Sequence, residues 1–540
     1  MTSQSSRTSY VPSNRRRVLC VFPKYSKSFG TFHHAYRLMK GVKAFMPPQG
    51  ILLIAAYLPE SWEVRFVDEN IRPVTRKDID WSDAVMVSGM HIQRPRIQQI
   101  NEMAHQCGKI TALGGPSVSG CPEWYPEFDL LHVGEMGDST DALIAYLDAH
   151  TDRPAAQLRF ETRQRRPLTQ FPIPAYHLIQ MDQYFLASIQ FSSGCPYHCE
   201  FCDIPELYGS NPRLKTPQQV TAELDAIIGS GPITAVYFVD DNFVGNRKAT
   251  LEMMPHLVEW QKRHQYPVEF ACEATLNMAH NTDLLELMRE AYFTTVFCGI
   301  ETPDTEALNA MGKKQNLKVP VLDAIRTLND HGMEVVSGII LGLDTDTPDT
   351  ADRILEFIRI SNIPMLTINL LMALPRTPLW RRLEKEGRII ENDEGLESNV
   401  RFLLPYKHVV EQWRYCISKA YEPKALYARF EYQRDHTFAN RKKIPAAGRA
   451  TPAKMLSGLT ALAKVILHAG VLSDYRDVFW KMAKPALKKA EIEYVIHTGL
   501  VSYHLIRFAR ECAQGDESAS FYSQRLRDVQ EGSVEPRLVG

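Results

Sequence analysis

The chain has 540 residues, of which 44% are hydrophobic, and its charged residues nearly cancel to a formal net charge of -1. This length predicts roughly three domains, and the balanced charge excludes a surface built to coat nucleic acid, so we expect no nucleic-acid partner. No membrane-spanning helix is predicted, because the longest apolar stretch, Leu456 to Leu472, is short and contains Lys464 and His468. Since the chain shows no signal-peptide pattern, we expect it in the cytoplasm.

Residues 1–17 are predicted to form a disordered tail, and residues 18–150 a first α/β domain. Over residues 18–150, short apolar runs alternate with helix-like stretches, which favours a parallel sheet with crossover helices. The predicted strands are Val18 to Phe22, Trp62 to Asp68, Ala84 to Gly89, Ile110 to Gly114 and Leu130 to Gly134. A Rossmann-like sheet of this kind binds ligands beyond the carboxyl ends of its strands.

Small and turn-forming residues stand at the ends of three of these strands, where glycine would let a ligand approach the backbone. They are Ser88, Gly89, Gly114, Gly115, Pro116, Ser117, Gly134 and Glu135. Ordinary turn geometry is the alternative explanation, and it requires no ligand.

Residues 151–186 are predicted to link this domain to the next. The segment is rich in arginine and proline, with examples in Arg163 to Pro167 and Phe171 to Pro174. Because proline fixes φ and removes a hydrogen-bond donor, we expect the linker to run extended over the surface. We interpret its basic run as a solvated face rather than a phosphate contact.

Cys195, Cys199 and Cys202 form the pattern C-x3-C-x2-C in the run FSSGCPYHCEFCD. Three thiolates are one fewer than a four-iron cluster ordinarily takes, so one iron would stay open to another ligand. A structural zinc site is the alternative, but it needs four ligands, and His198 is too close in sequence to complete a tetrahedron easily. Disulfides fit poorly as well, because the ten cysteines are spread over the whole chain.

Residues 187–395 repeat a β/α pattern that is typical of a barrel of parallel strands. Six strands are predicted, too few for a complete eight-stranded barrel: Ala187 to Phe191, Ala235 to Val239, Val268 to Cys272, Thr295 to Gly299, Val335 to Leu341 and Leu366 to Leu371. Polar residues follow several of them, namely Asp240, Asp241, Asn242, Glu273 and Glu301. Helix capping is the alternative role for the first three, and Cys272 and Cys298 are predicted to be small core residues.

Residues 396–540 depart from the β/α pattern and are predicted to be mainly helical. Apolar residues recur there at helical spacing, at Met455, Leu459, Leu462 and Ile466. Further on, lysines alternate with apolar residues over Phe479, Trp480, Lys481, Met482, Lys484, Leu487, Lys488 and Lys489. Such a stretch either rests on the inner face of an anionic membrane or packs on the barrel and leaves its lysines in water.

The cysteine triplet, with Phe201 before its last cysteine, resembles the radical S-adenosylmethionine (radical SAM) superfamily. The resemblance implies a partial (β/α)6 barrel and a 4Fe-4S cluster on Cys195, Cys199 and Cys202, whose open iron binds SAM and whose electron cleaves it. SAM contacts are implied for the aromatic residue and for polar residues in YFVDDNF and GIET, which are Phe201, Asp240, Asp241, Asn242 and Glu301. An external one-electron reductant is implied as a partner.

The segments MPPQGILLIAAYL, LGGPSVS and HVGEMGD resemble the cobalamin-binding domain that precedes many radical SAM domains. This implies cobalamin contacts from Gln49, Gly50 and the small residues at the strand ends. The motif D-x-H-x-x-G, whose histidine ligates cobalt from below, is missing, as it is in the methylating radical SAM subfamily. His91 and His132 are interpreted as hydrogen-bonded structural residues, and the lower cobalt ligand stays unassigned.

Taken with the N-terminal run FGTFHHAYRLMKGVKAF and the helical extension, these motifs resemble the cobalamin-dependent radical SAM methyltransferases, and among them the hopanoid C-2 methylases. The resemblance implies methylation of an unactivated carbon, C-2 of a hopanoid lipid, at the expense of two SAM molecules. Two alternatives are open: an enzyme of this type acting on a tetrapyrrole, peptide or secondary metabolite, and a non-catalytic cobalamin or redox sensor.

Overall fold

The computed structural model of the protein describes residues 10–318, 320–390, 398–444 and 452–515. In these residues the chain forms two six-stranded parallel sheets followed by a helical C-terminal region, which confirms the predicted α/β class. The side chain of Met455 and residues 1–9 of the predicted tail lie outside what the structure describes.

The remaining residues of the predicted tail are ordered, which corrects that prediction. The hydroxyl group of Tyr10 and the backbone amides of Ser13 and Asn14 donate to the carboxylate of Asp148 at distances of 2.8 to 2.9 Å. Arg16 adds a bond of 2.7 Å from its Nε to the carbonyl of Leu147. These bonds satisfy a buried carboxylate, and they fasten the chain directly before the first strand.

The first sheet contains all five strands predicted for it and a sixth that was not predicted. Its order is β2-β1-β3-β4-β5-β6, with β1 Arg17–Phe22, β2 Glu63–Asp68, β3 Ala84–Ser88, β4 Ile110–Gly114, β5 Leu130–Val133 and β6 Leu158–Glu161. Strand β6 lies within the predicted linker and pairs in parallel with β5, so the first part of that segment extends the sheet.

Both faces of the first sheet are covered by helices. The bounds are α1 Gln49–Tyr57, α2 Arg76–Trp81, α3 Arg94–Gln106, α4 Pro116–Gly120 and α5 Asp138–Ala149. Alternate residues of β1 enter different cores, with Val18 and Cys20 on one side and Leu19 and Val21 on the other, and all four are fully buried. A strand buried on both faces explains the continuous apolar run from which β1 was predicted.

The second sheet confirms the six predicted strands and is open, since its first and last strands do not pair. Its order is β14-β13-β12-β11-β10-β7, with β7 Ala187–Ile189, β10 Ala235–Phe238, β11 Glu269–Glu273, β12 Phe293–Glu301, β13 Glu334–Leu341 and β14 Met365–Leu370. A short antiparallel ribbon of β8 Ser192–Ser193 and β9 Arg213–Leu214 stands beside β7. This is the partial (β/α)6 arrangement, with the chemistry expected at the carboxyl ends of the strands.

Helices surround the open barrel at α6 Ile204–Leu207, α7 Pro217–Gly229, α8 Arg247–Arg263, α9 Thr282–Glu290, α10 Thr305–Ala310, α11 Val321–Asp330, α12 Thr350–Ser361 and α13 Pro378–Lys385. Helix α7 begins where sequence chemistry predicts a helix start: the Thr216 hydroxyl accepts from the amide of Gln219 at 3.2 Å, and Pro217 takes the first helical position. The cysteines Cys272 and Cys298 are fully buried in β11 and β12, as predicted.

The C-terminal region is helical, as predicted, and shares a continuous hydrophobic core with the barrel. It contains α14 Tyr406–Ala420, α15 Pro423–His436, α16 Pro452–Val465, a π-helical segment Ile466–Val471, α17 Arg476–Lys488 and α18 Ile492–Gln514. The indole of Trp413 donates to the carbonyl of Ile368 in β14 at 2.8 Å. Phe479 and Met482 are fully buried while the lysines of α17 are exposed, so this helix packs its apolar face inward. No described helix is long and apolar enough to cross a membrane.

Candidate functional site

Cys195, Cys199 and Cys202 lie on the loop between β8 and α6. Gly194 shapes its start, with φ of +98° and so little space that a Cβ would lie 2.8 Å from the carbonyl oxygen of Gly209. The amide of Cys195 donates to that same oxygen at 3.2 Å, and the amide of Cys202 donates to Cys199 at 3.1 Å. Burial raises the pKa of the Cys195 thiol and that of Cys202, the latter to about 12. Bound metal must displace these protons, as it does from other thiol ligands.

Two of the predicted SAM residues hold the backbone of this loop. The carboxylate of Asp240 accepts from the amide of Phe191 at 3.2 Å and from that of Ser192, and Asp241 accepts from the amide of Gly194 at 2.7 Å. Burial raises the pKa of Asp240 to about 7 and that of Asp241 to about 6. Helix α8 is capped by Asn246 instead, so the alternative that these aspartates cap it is wrong. The structure brings both aspartates to the cysteine loop as its anchors.

Asn242, the third polar residue of YFVDDNF, faces the cysteines and has an unused acceptor. Its Nδ2 lies 4.0 Å from the sulfur of Cys195, and Gln315 places its Nε2 3.3 Å from the sulfur of Cys199. Both side chains are buried, and Asn242 Oδ1 and Gln315 Oε1 have no hydrogen-bond partner among the described residues. Buried carbonyl oxygens without a donor are costly, so this arrangement fits a cationic ligand next to the thiols.

Glu301 closes the site from the end of β12. Its carboxylate binds the ammonium group of Lys313 at 2.5 Å, and both side chains are almost fully buried. Glu301 has a φ of +67°, a strained value for a residue with a side chain. Gly299 leaves room for the pair, because a Cβ there would lie 2.4 Å from Glu301 Oε1 and 2.7 Å from Lys313 Nζ. The glycine in GIET is thus explained by the ion pair.

Lys313 also faces the cysteine loop. Burial alone would lower its pKa, but the carboxylate of Glu301 and the thiols of Cys199 and Cys202 raise it. Its ammonium lies 5.4 Å from the centre of the Phe201 ring, within the range of a cation–π contact. A fixed positive charge therefore stands among the three cysteines, Phe201 and Glu301.

Glu273 lies at the end of the neighbouring strand β11. It accepts from the hydroxyl group of Tyr237 at 3.3 Å, and burial raises its pKa to about 7. Together with Asp240 and Asp241 it forms a set of buried carboxyl groups inside the barrel whose pKa values burial raises well above the ordinary range.

Glu135 connects the first sheet to the cysteine loop. Its carboxylate accepts from Ser193 at 3.0 Å, pairs with Arg165 at 3.3 Å, and also binds Arg213 of β9. Arg165 in turn donates to the carbonyl of Tyr208 at 2.7 Å. Arg165 is exposed, as predicted for a solvated face, and its guanidinium group also bonds at the junction of the two sheets.

The glycines predicted to contact cobalamin fall into two groups, according to whether a side chain in their place would contact the rest of the protein. A Cβ on Gly115 or Gly134 would come within 2.6 to 3.1 Å of neighbouring protein atoms, and φ at these positions is +98° and +99°, so the domain itself favours glycine there; at Gly89 the close atoms are the side-chain ends of Ile97 and Gln93. A Cβ on Gly114 would meet nothing nearer than 3.9 Å, and one on Gly50 nothing within 4 Å. These two glycines need another reason, and the open space beside them fits a ligand that approaches the backbone.

Two polar residues in this set also have internal roles. The hydroxyl group of Ser117 lies 3.1 Å from His91 Nδ1, and Gln49 Oε1 accepts from Tyr176 at 3.3 Å and from Ser188 at 3.2 Å. Gln49 Nε2 is buried and has no partner among the described residues. Ser88 and Pro116 stand at the same strand ends, so the structure brings the predicted set to one edge of the sheet.

The two histidines of this edge are used within the domain. His132 Nε2 lies 2.9 Å from the hydroxyl groups of both Thr140 and Ser139, and burial lowers its pKa to about 4. His91 is bonded to Ser117, and burial likewise lowers its pKa to about 4. Their surroundings fit the interpretation as hydrogen-bonded structural residues.

Sequence reasoning missed Lys313, Gln315 and Arg213. The first two follow α10, more than 100 residues after the cysteines, and no spacing in the sequence links them to the triplet. The single available signal was Gly299 before Glu301, since a glycine two residues ahead of an acidic strand end implies a close neighbour.

Two family models match the chain. One, described as the Radical SAM superfamily, matches residues 189–358. The other, described as a domain of unknown function (DUF4070), matches residues 377–518. The first covers the cysteine loop, the acidic strand ends and Lys313.

Comparison with whole proteins extends this likeness over the full chain. The Hopanoid C-2 methylase of Rhodopseudomonas palustris is 56% identical over 98% of this chain and 99% of its own length. An uncharacterized methyltransferase of Synechocystis is 32% identical over 96% and 97%. Among solved structures, the cobalamin-dependent S-adenosylmethionine radical enzyme OxsB shares the fold, with a TM-score of 0.59, 13% identity, and coverage of 97% of this chain and 82% of its own. The chain therefore belongs to the hopanoid C-2 methylase family of radical SAM proteins.

Proposed function

We propose that the protein is a cobalamin-dependent radical SAM methyltransferase that adds a methyl group to C-2 of a hopanoid. The observation that supports this best is the cysteine loop, where three thiols stand beside a buried lysine and two amide oxygens that have no donor in the part of the chain that the structure describes. A 4Fe-4S cluster on Cys195, Cys199 and Cys202 would supply the electron that cleaves SAM at an iron lacking a protein ligand. The protein's part is to hold SAM beside it in one orientation.

The residues around the thiols match the charges of SAM's amino acid portion. Asn242 Oδ1 and Gln315 Oε1 can accept from its ammonium group, and charge-assisted bonds of this kind are short and strong. Lys313 can bind its carboxylate, because the lysine already lies beside the cysteine loop. Asp240 and Asp241 contribute indirectly, because they hold the cysteine loop in place for SAM.

The edge of the first sheet would hold cobalamin, which supplies the methyl group. Gly50 and Gly114 leave open space there, and Gln49 Nε2 offers an unused donor. Glu135 fixes the distance between this edge and the cysteine loop through Ser193 and its two arginines. Reaction between separately bound groups depends on such fixed placement, where an error of about 1 Å can cost about 100-fold in rate.

The substrate assignment rests on the relative of 56% identity, which is named a hopanoid C-2 methylase. A saturated ring carbon has no lone pair with which to attack SAM, so a radical route is needed there. The reductant would be an external one-electron donor, because the cluster must be reduced again before each cleavage of SAM.

We further propose that the enzyme works in the cytoplasm on the inner face of the membrane that holds its lipid. Five apolar side chains on α16, the π-helical segment and the following turn are between 47% and 65% exposed: Leu456, Leu459, Leu467, Val471 and Leu472. The lysines of α17 are exposed beside them, and Trp480 of α17 donates to the carbonyl of Gly470 at 2.8 Å. An exposed apolar stripe next to basic residues suits an anionic bilayer surface.

Lipid analysis of a hopanoid-producing bacterium that lacks its own C-2 methylase gene tests the proposed substrate. We expect the wild-type chain to restore 2-methylhopanoids and Cys199→Ala to restore none. Cys416→Ala, which removes a buried thiol of α14 outside the cysteine loop, is the matched control and should restore them. Accumulation of another methylated lipid or tetrapyrrole would reassign the substrate, and unchanged lipids with every variant would refute the proposal.

An assay with purified protein tests the chemistry separately. With a strong reductant, we expect one S-adenosylhomocysteine and one 5′-deoxyadenosine for each methyl group transferred. Deoxyadenosine without S-adenosylhomocysteine would rule out methylation, and cofactor binding without SAM consumption would favour a sensor. Flotation with anionic vesicles tests the membrane contact, which Leu459→Glu with Leu467→Glu should weaken without affecting the deoxyadenosine yield.

A further inference from the structure

A group of histidines outside the cysteine loop has no part in the function proposed above. His33 and His34 follow β1 on the way to α1 and lie against His504 and Glu511 of α18. The ring centres are 4.0 Å apart for His33 and His34, 5.0 Å for His33 and His504, and 5.7 Å for His34 and His504. Three imidazoles from two distant parts of the sequence thus surround one point.

The hydrogen bonds of these rings leave two buried nitrogen atoms unused. His504 is fully buried, its Nε2 lies 3.1 Å from the carbonyl oxygen of Phe29, and its Nδ1 has no partner among the described residues. His33 Nδ1 lies 3.4 Å from the hydroxyl group of Thr31, while its buried Nε2 also has no partner there. Since the carbonyl of Phe29 can only accept, His504 carries its proton on Nε2, and the lone pair of Nδ1 is available.

This pattern is the one that metal-binding histidines show. One ring nitrogen of such a histidine usually bonds to a backbone carbonyl or other polar group, which leaves the opposite nitrogen for the metal. His34 Nε2 lies 2.9 Å from the carboxylate of Glu511, and one ligand atom each of His33, His34 and Glu511 lies within 4.8 Å of the others. His33, His34 and Glu511 thus offer two nitrogen ligands and one carboxylate within that distance, and His504 adjoins them with its ring centre 5.0 Å from that of His33 and can supply a third nitrogen.

The distances suit a tetrahedral ion of the size of Zn²⁺. With Zn–N bonds of 2.0 to 2.1 Å, ligand atoms in a tetrahedral site are about 3.3 Å apart, and imidazole ring centres about 5 Å apart. The observed ring separations of 4.0, 5.0 and 5.7 Å lie on either side of that value. The ligand atoms of His33, His34 and Glu511 lie within 4.8 Å and need to close by less than about 1.5 Å, which side-chain rotation can supply, whereas the Nδ1 of His504 has to approach from outside that group.

The electrostatic surroundings keep the rings neutral. Burial, the neighbouring rings and the cations Lys27 and Arg507 lower the pKa of His33 to about 2, and burial with the neighbouring His34 lowers that of His504 to about 3. Burial and nearby cations also lower the pKa of His34 to about 4. Neutral imidazole is the form that ligates metals. Lys27 and Arg507 oppose an added cation, and Glu511 offsets part of that repulsion.

We propose that His33, His34, His504 and Glu511 form a structural zinc site that clamps the segment after β1 to helix α18. Nitrogen ligands with one carboxylate select zinc over Mg²⁺ or Ca²⁺, which prefer oxygen, and four protein ligands close the coordination shell. The clamped segment continues to Lys43, whose amide donates to the carbonyl of Gln183 at 2.8 Å. The site therefore supports the chain that leads into β7 and the cysteine loop.

The test must separate this zinc from metal on the cysteines. We would therefore use a background in which Cys195, Cys199 and Cys202 are all alanine, and measure zinc by mass spectrometry after dialysis against a weak chelator. About one equivalent of zinc should remain, because four ligands bind it tightly. Substitution of Co²⁺ should give the visible bands of a tetrahedral nitrogen and oxygen site without sulfur-to-cobalt charge transfer.

Single substitutions identify the ligands. His33→Gln and Glu511→Gln should each weaken zinc binding at least about 100-fold, and a strong chelator should lower the thermal midpoint of the background protein but not that of these variants. His468→Gln, which alters a histidine whose ring lies 5.7 Å from Tyr503 instead, is the control. His33 is partly exposed, so its replacement keeps the fold testable by circular dichroism. Absence of zinc from the background protein, or equal zinc in all variants, would overturn the proposal.

Discussion

Replacing Lys313 by methionine would leave the carboxylate of Glu301 buried without its partner. The two charged groups are 2.5 Å apart, and their side chains are 8% and 11% exposed. Removing one member of a buried ion pair typically costs about 3 to 5 kcal/mol, because the remaining charge has lost its solvent as well as its partner. We expect Lys313→Met to destabilise the cluster-free protein by that amount in urea unfolding followed by circular dichroism.

Lys442→Met is the matched control, since Lys442 and Glu290 are also 2.5 Å apart but 21% and 42% exposed. An ion pair in contact with water contributes about 1 kcal/mol or less, so this variant should unfold close to the wild type. The double variant Glu301→Gln with Lys313→Met buries no charge and should recover much of the lost stability. If Lys313→Met is as mild as Lys442→Met, or if the double variant is less stable than Lys313→Met alone, a buried unpaired Glu301 is not the cause of the loss.

Three further predictions concern the acidic groups and the glycines. Asp240 has a pKa of about 7 in the folded protein and about 3.9 in the unfolded chain. Between these pH values the folded state binds a proton that the unfolded state has lost. The cluster-free protein should therefore lose stability as the pH rises from about 4 to 7. Asp240→Asn should flatten part of that decline in unfolding measurements, and an unchanged slope would contradict the assignment. Glu135→Gln should release iron to a chelator several-fold faster than wild type, whereas Glu63→Gln, which alters an exposed pair, should match it. Gly114→Ala should weaken cobalamin binding in a spectroscopic titration with little change in stability. Gly115→Ala should instead destabilise the fold, because its Cβ would lie 2.6 Å from the hydroxyl group of Ser88. Equal effects of the two variants would contradict the different roles given to these glycines.

The strands were predictable because most are buried runs of apolar residues between turn signals. The run of β1 carries enough hydrophobic residues to identify it without a partner strand. Strand β6 was missed since its four residues, LRFE, alternate between half-buried and exposed and stand in a segment rich in arginine and proline. An edge strand held mainly by pairing with β5 has little signal of its own.

Site residues that lie close together in the sequence could be predicted. Those that come together only when distant segments fold could not. Cysteine spacing identified the loop, but the position of Lys313 beside it depends on the strain at Glu301 and on how α10 returns to the barrel. Gly115 was predicted as a ligand contact because it follows a strand, and its close packing against Ser88, a second reason for glycine at this position, cannot be read from the sequence.

The contact of α18 with the segment after β1 also has a consequence for how the protein is made. His504 lies against Phe29, 475 residues earlier in the chain, so at about 5 to 20 residues per second the ribosome needs roughly 25 to 95 seconds to supply the partner. During that interval the surface that Phe29 and His34 will bury lies open, and it is exposed to chaperones and proteases. The yield of active protein should therefore depend on how soon the last helix arrives as well as on the stability of the finished fold.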